Sequence, residues 1–454
     1  MTSFTTTNPA NGSTLASWTL HTPAQVDHIL DRACASAVLW SRTPIAERCA
    51  GIRALAAALR THAGELSASI TAEMGKPIAE SRAEVEKCVA TCEWYAVHAE
   101  SMLQPVAVDS DATSSWIEHQ PLGVILLVMP WNFPLWQVVR QMVPTLLAGN
   151  VCVLKHAPNV WGTAEQITAV LADALLPEGV FTNVRLDVPA TLDLVDDPRI
   201  AGVALTGSEA AGRAVGARAG AALKPAVLEL GGSDPFVILA DADLPLATST
   251  ALRSRFLNAG QSCIAAKRII VVQEVADLVV ATLQAAIASM RVGDPANPDT
   301  EIGPLARRDL VEMVERQVAD SIGAGAVVAA GATLPDGPGF WCQPRLLVGA
   351  QPGMAVFDEE VFGPVMSVTV ARDTHHAMEF ARTTRFGLGA SIWSQDQAAV
   401  ELRHALHTGT IMLNGMVKSD VRFPFGGTRA SGLGRELGLA GLTAFTNERT
   451  VWVR

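Results

Sequence analysis

The segment Gly123-Val-Ile-Leu-Leu-Val-Met129 constrains this chain more than any other. An unbroken apolar run of this length, read as a strand, must be covered on both faces. That is the situation of a strand inside a parallel sheet flanked by helices. From Pro121 onward the pattern repeats. Val138 to Leu147 reads as a helix, Asn150 to Leu154 as a strand and Gly162 to Leu175 as a helix. Ile200 to Leu205 is again a strand, followed by the turn Thr206-Gly-Ser208, the helix Glu209 to Ala222 and the strand Val227 to Leu230. Alternation of this kind predicts an α/β fold with a doubly wound, Rossmann-type sheet and right-handed crossovers. In such sheets ligands sit beyond the carboxyl ends of the strands.

The flanking regions differ. Pro23 to Leu39, Ile45 to His62, Gly64 to Met74 and Glu84 to Glu100 carry helical periodicity, and the first hundred residues read as amphipathic helices. Residues 104–119 alternate and hold few helix formers, so a strand excursion is expected there. A second alternating series runs from Phe236 to about Ile411, with strands near Ile269 to Val272 and Ser367 to Val370. The terminal segment Asn447 to Val453 alternates again and is expected to pair with residues 104–119.

Composition narrows the functional classes. A formal net charge of −11 argues against non-specific binding to nucleic acid or an anionic membrane. The apolar run Val124 to Met129 is far shorter than the ~20 residues a membrane helix needs. Seven cysteines at irregular spacings do not describe a disulfide framework, and the N-terminus lacks a secretory pattern, so a reducing cytoplasm is expected. No histidine or cysteine spacing suggests a metal site, and none is expected.

Five constellations carry chemistry. Cys263 alone among the cysteines follows a polar, small-residue loop, Asn258-Ala-Gly-Gln-Ser262, which suits a thiolate nucleophile. Asn132 lies in Met129-Pro-Trp131-Asn132-Phe-Pro134, directly beyond the apolar strand, where a rigid amide can hold an oxyanion. Glu229 interrupts the apolar strand before Leu230-Gly-Gly; burial there raises a carboxyl pKa toward that of a general base. Thr206-Gly207-Ser208 joins a strand to a helix and can present amides and a hydroxyl to a phosphate, although it is also an ordinary capping turn. Lys155 ends another strand within reach of a ribose or phosphate. Two further segments, Asp358-Glu-Glu360-Val-Phe362 and the glycine-rich Phe423 to Glu436, precede the C-terminus, the latter leading into a final helix.

In this order the segments resemble those of the NAD(P)-dependent aldehyde dehydrogenase superfamily, and the resemblance covers nearly the whole chain. It implies a Rossmann-type cofactor domain (residues 1–103 and 122–231), an α/β catalytic domain (232–445) and a small β oligomerisation element (104–121 and 446–454). It further implies Cys263 as nucleophile, Asn132 as oxyanion donor, Glu229 as the base that hydrolyses a thioester, and Glu436 as a second proton relay. Trp131, Lys155, Thr206, Gly207, Ser208, Leu230, Glu360 and Phe362 would hold NAD or NADP. Finer details resemble the bacterial succinate-semialdehyde dehydrogenases: Arg140, eight residues after Asn132, stands where those enzymes meet the substrate carboxylate, and Trp136 and Ser419 would line the same tunnel. Leu257 replaces a second arginine of that group, whose place as an anchor Ser419 or Arg422 would take, and Pro158 stands where many NAD-preferring members carry a glutamate. The resemblance implies a homodimer or homotetramer acting on a small aldehyde. A broad-specificity aldehyde oxidant and a non-catalytic relative are the competing readings.

Overall fold

A computed structural model describes residues 3–454; Met1 and Thr2, the start of the expected cofactor domain, lie outside the described residues. The predicted Rossmann-type sheet is present. It has six strands in the order Gly432–Leu433, Ala226–Glu229, Ile200–Thr206, Val124–Met129, Val151–His156 and Phe181–Asn183. All neighbours are parallel except the first pair. Val124–Met129 lies between Val151–His156 and Ile200–Thr206, so the chain winds outward in one direction and then returns to wind outward in the other. The carboxyl ends of these central strands therefore flank a topological switch point, where a crevice opens. Val151–His156 is buried at every position, as a strand covered by helices on both faces must be.

The second alternating series builds a seven-stranded sheet. Its order is Val327–Gly331, Arg345–Val348, Val365–Ala371, Ala266–Val272, Asp234–Ile238, Gly389–Trp393 and Thr410–Leu413. Only the Val327–Gly331 edge is antiparallel. One apolar cluster runs continuously from the N-terminal helices through both sheets.

A third sheet joins Thr446–Val453 to Ser114–Pro121 and Val106–Ala107. Thr446 faces Pro121 and Val453 faces Ser114 with no register break, which is the pairing that the two alternating segments predict. The N-terminus departs from expectation. In place of purely helical structure, Ser3–Thr7 and Thr14–Thr19 form an antiparallel hairpin. The threonine-rich strands favour extended backbone, and the turn between them is closed by the Asn8 side chain accepting from Ala10 N (2.9 Å) with Gly12 in the left-handed region. The glycine-rich C-terminal segment also does more than lead into a helix. Gly432–Leu433 adds a strand beside Ala226–Glu229 before the short helix Gly438–Thr443.

Candidate active site

Cys263 is held by a backbone in an unusual conformation. After the helix Leu244–Phe256, residues Asn258, Ala259 and Gly260 take φ values of 56°, 52° and 75°. A left-handed non-glycine residue costs on the order of 1–3 kcal/mol, so two in succession need external support. It comes from Glu80, whose carboxylate accepts from Asn258 N (2.8 Å), and from Gln261, whose carbonyl oxygen Oε1 accepts from Ala306 N (2.9 Å). Beyond Cys263, the fully buried Lys267 donates to the carbonyls of Ser262 and Cys263, both at 2.7 Å. The thiol is half-buried and lines the large cavity described below. Burial pushes its pKa up to about 12; the charges of Arg140 and Lys267 oppose that, while those of Glu360 and Glu229 reinforce it.

Asn132 is pinned against the same loop. Its Nδ2 donates to Gln261 O (3.1 Å), and its main-chain carbonyl accepts from Asn258 Nδ2 (2.7 Å). One amide N–H of Nδ2 thus holds the loop and the second remains for a ligand oxygen. The segment carrying Asn132 is anchored by Glu84, a residue whose importance the helical pattern alone does not reveal. One oxygen of Glu84 accepts from both Leu135 N and Trp136 N, each at 2.9 Å, and the other pairs with the buried Lys76. Lys76 Nζ in turn lies 3.8 Å from the centroid of the Phe133 ring.

Glu229 ends its strand buried, with its carboxyl against the backbone of Gly426. Burial raises its pKa well above the ordinary carboxylate range, the charge of Glu436 adds to the effect, and Arg140 and Arg435 oppose it. Glu436 is brought in by a bridge between Phe425 and Glu436, in which Phe425 N donates to Glu436 O (2.6 Å). Burial raises the Glu436 pKa as well, against the charge of Arg140. Burial thus works against ionisation of both carboxyls, and the charge of Arg140 opposes that effect at each.

The groups expected to hold a dinucleotide gather around the switch point. Ser208 caps the helix Glu209–Ala221, accepting from Ala211 N (3.3 Å), and Gly207 N donates to Glu229 O (2.9 Å). Lys155 is buried, and burial lowers its pKa to about 8. Leu230 packs against the Gly212 backbone of that helix. Glu360 accepts from Gly232 N (3.0 Å) and pairs with Lys267 at 3.4 Å. Its carboxylate occupies the space that a side chain at position 231 would need, so Gly231 permits the close approach. Phe362 and Trp131 meet edge to face with centroids 5.8 Å apart. A helix N-terminus, a buried lysine, a carboxylate and aromatic edges together fit a nicotinamide dinucleotide. The Thr206 hydroxyl accepts from Arg140 Nη2 (3.3 Å).

A cavity of about 1020 Å³ is lined by Cys263, Trp136, Arg140, Lys87, Ser419 and Phe425, among others. The expected substrate residues Arg140, Trp136 and Ser419 are therefore brought to one space. Arg140, however, arrives partnered. Its guanidinium pairs with Glu436, donates to Thr206 and lies over the Phe425 ring at 5.0 Å. Nε meets Glu436 as an ion pair without a hydrogen bond, and Nη1 has neither kind of partner among the described residues.

A Rossmann-type sheet whose switch point faces a cysteine loop on a second α/β sheet defines the class: an oxidoreductase architecture built around a thiol. Residues 1–451 match the model of the aldehyde dehydrogenase family, and the chain belongs to that family. The NAD(P)+ succinate semialdehyde dehydrogenase Sad of Escherichia coli strain K12 is 43% identical over 446 residues, covering 98% of this chain and 96% of its own length. The NADP+ succinate-semialdehyde dehydrogenase 1 of Mycobacterium tuberculosis strain H37Rv is 43% identical over 454 residues, 99% of each chain. Among solved structures, succinic semialdehyde dehydrogenase from Streptococcus pyogenes in complex with NADP+ superposes with a TM-score of 0.96 at 32% identity, covering 99% of both chains.

Proposed function

We propose that this protein oxidises succinate semialdehyde to succinate with NAD or NADP. The observation that carries the reading is the shared cavity: Cys263 lines the same space as Arg140, while Asn132 donates to the loop before Cys263 and Glu229 lies near enough for its charge to act on the thiol. The full-length similarity to enzymes named for that substrate supports it.

In this mechanism the Cys263 thiolate adds to the aldehyde carbon, and the new C–S bond leaves an alkoxide. The free N–H of Asn132 and the Cys263 backbone N–H hold that oxygen. Lys155, Ser208, Gly207, Leu230, Glu360, Phe362 and Trp131 would hold the cofactor, which when bound would supply the hydride acceptor; loss of the hydride leaves a thioester on Cys263. Glu229 then takes a proton from water, whose oxygen attacks the thioester and releases the acid and the thiolate. Its raised pKa suits it to hold that proton, and Glu436 passes it onward. Arg140 directs Nη1 to the substrate carboxylate while Glu436 and Thr206 fix its plane.

The proposed partition into cofactor domain, catalytic domain and oligomerisation element is supported in outline by the separate sheets, although Gly432–Leu433, from the segment assigned to the catalytic domain, pairs in the cofactor sheet. The three-stranded sheet, whose exposed residues include Val106, Trp452 and Val453, is the surface through which copies associate as a dimer or tetramer. Seven free thiols suit a reducing cytoplasm. Initial rates over a chain-length series of ω-carboxylated aldehydes, beside butanal and with NAD and NADP in parallel, test the reading. A maximum kcat/KM at the four-carbon semialdehyde is expected; equal efficiency with butanal refutes it in favour of a broad-specificity oxidant.

A further inference from the structure

We propose that Lys87, acting with the Ser419 hydroxyl, is a second anchor for the substrate's carboxylate. This rests on the succinate semialdehyde reading and adds to it the residue that Leu257 does not supply.

Lys87 lies on the helix Ile78–Met102 and lines the cavity that holds Cys263. Its Nζ donates to Ser419 Oγ at 2.7 Å and lies 4.0 Å from the centroid of the Trp136 ring. The same indole has Arg140 Cζ 6.0 Å from its centroid, so two cations share one aromatic wall. Nearby buried cations have carboxylate partners: Arg140 has Glu436, Lys267 has Glu360 and Lys76 has Glu84. Among the described residues Lys87 has no such partner.

The acids near it are committed elsewhere. Glu84, three residues earlier, serves Lys76 and the amides of Leu135 and Trp136. Asp420 is gripped by Arg422 at 2.6 Å. Cys88 is a buried thiol, and Arg140 faces Lys87 as a like charge. Burial first and Arg140 second pull the Lys87 pKa down to about 8, against Cys88, Glu84 and Asp420. A largely desolvated ammonium beside a second cation is unfavourable until an anion arrives. An ammonium has three donors, and Ser419 takes one. The bare alternative, a lysine satisfied by Ser419 and Trp136 alone, leaves the remaining donors and the repulsion from Arg140 unanswered. Leu257, Phe256 and Ile264 line the same cavity and contribute no charge.

The test compares kcat/KM for succinate semialdehyde and for butanal. A wild-type ratio near one removes the substrate reading, and the anchor with it. Given a ratio well above one, Lys87→Met lowers it roughly 10- to 150-fold, the loss of one charge-assisted hydrogen bond, chiefly through KM. Lys87→Arg recovers most of the preference. Equal losses on both aldehydes, or an unchanged ratio, overturn the anchor while leaving the substrate reading intact. If Lys87→Met misfolds and turns over neither aldehyde, Ser419→Ala decides: a lowered ratio supports the anchor and an unchanged one refutes it.

Discussion

Replacing Glu84 with alanine tests how the oxyanion segment is held. Glu84 and Lys76 have side chains 2% and 0% exposed, so their ion pair lies in the interior. Removing one partner of such a pair costs about 3–5 kcal/mol, because the other charge is left buried and uncompensated. The amides of Leu135 and Trp136 lose their shared acceptor at the same time, at roughly 1–3 kcal/mol for each group that stays dry. Water reaching the helix start softens this second contribution, so a total of about 4–8 kcal/mol is expected. Adding Lys76→Met should recover about 2–3 kcal/mol, because the orphaned ammonium is gone while the amides remain unserved. Unfolding midpoints in urea, with hydrogen exchange at Leu135 and Trp136, report the stability. A displacement of about 1 Å at Asn132 would lower kcat on the order of 10²-fold, so the kinetics report the geometry. A Glu84→Ala enzyme within 1 kcal/mol of wild type and with unchanged kcat would falsify the anchoring role.

Glu229→Gln is expected to retain a burst of reduced cofactor while steady turnover falls roughly 10²–10⁴-fold; a lost burst with normal deacylation contradicts the assignment. Asn132→Ala should cost about 10²–10³ in kcat, measured on the acylation phase, and a loss confined to KM would argue for a purely structural amide. Because burial pushes the Cys263 thiol up to about 12, its alkylation by iodoacetamide should quicken about tenfold per pH unit between pH 7 and 9 without cofactor. A flat profile there would mean that the thiolate already predominates.

Much of this architecture was legible in the chain because its informative residues are local. The apolar run before Asn132, the Ser208 cap and the alternation in residues 446–453 each carry their own physical reason within a few positions. What escaped reading is what depends on contacts distant in sequence. Arg140 stands eight residues after Asn132, but its ion pair with Glu436 joins distant parts of the chain. Lys87 follows Glu84 by three positions and looks like the solvent face of a helix, whereas that carboxylate is turned to Lys76 and the Leu135 and Trp136 amides. Lys267, within the Cys263 segment, reveals its hold on two carbonyls only when the strand Ala266–Val272 folds. The N-terminal hairpin was hidden for another reason: its signal is threonine content and a short Asn-Gly turn beside strong helical periodicity.

The strand Gly432–Leu433 ties the order of synthesis to chemistry. It completes the sheet edge at Glu229, and nearby Ser431 Oγ bonds to Gly231 O across 200 residues of chain. Contacts so distant in sequence form late in folding. On a ribosome, the thiol loop emerges long before Phe425, Gly426 and Glu436, the residues that enclose the deacylating carboxyl. An unfinished chain therefore holds the thiol loop without the residues that enclose Glu229, so hydrolysis of the thioester is the last step of the proposed reaction that synthesis makes possible.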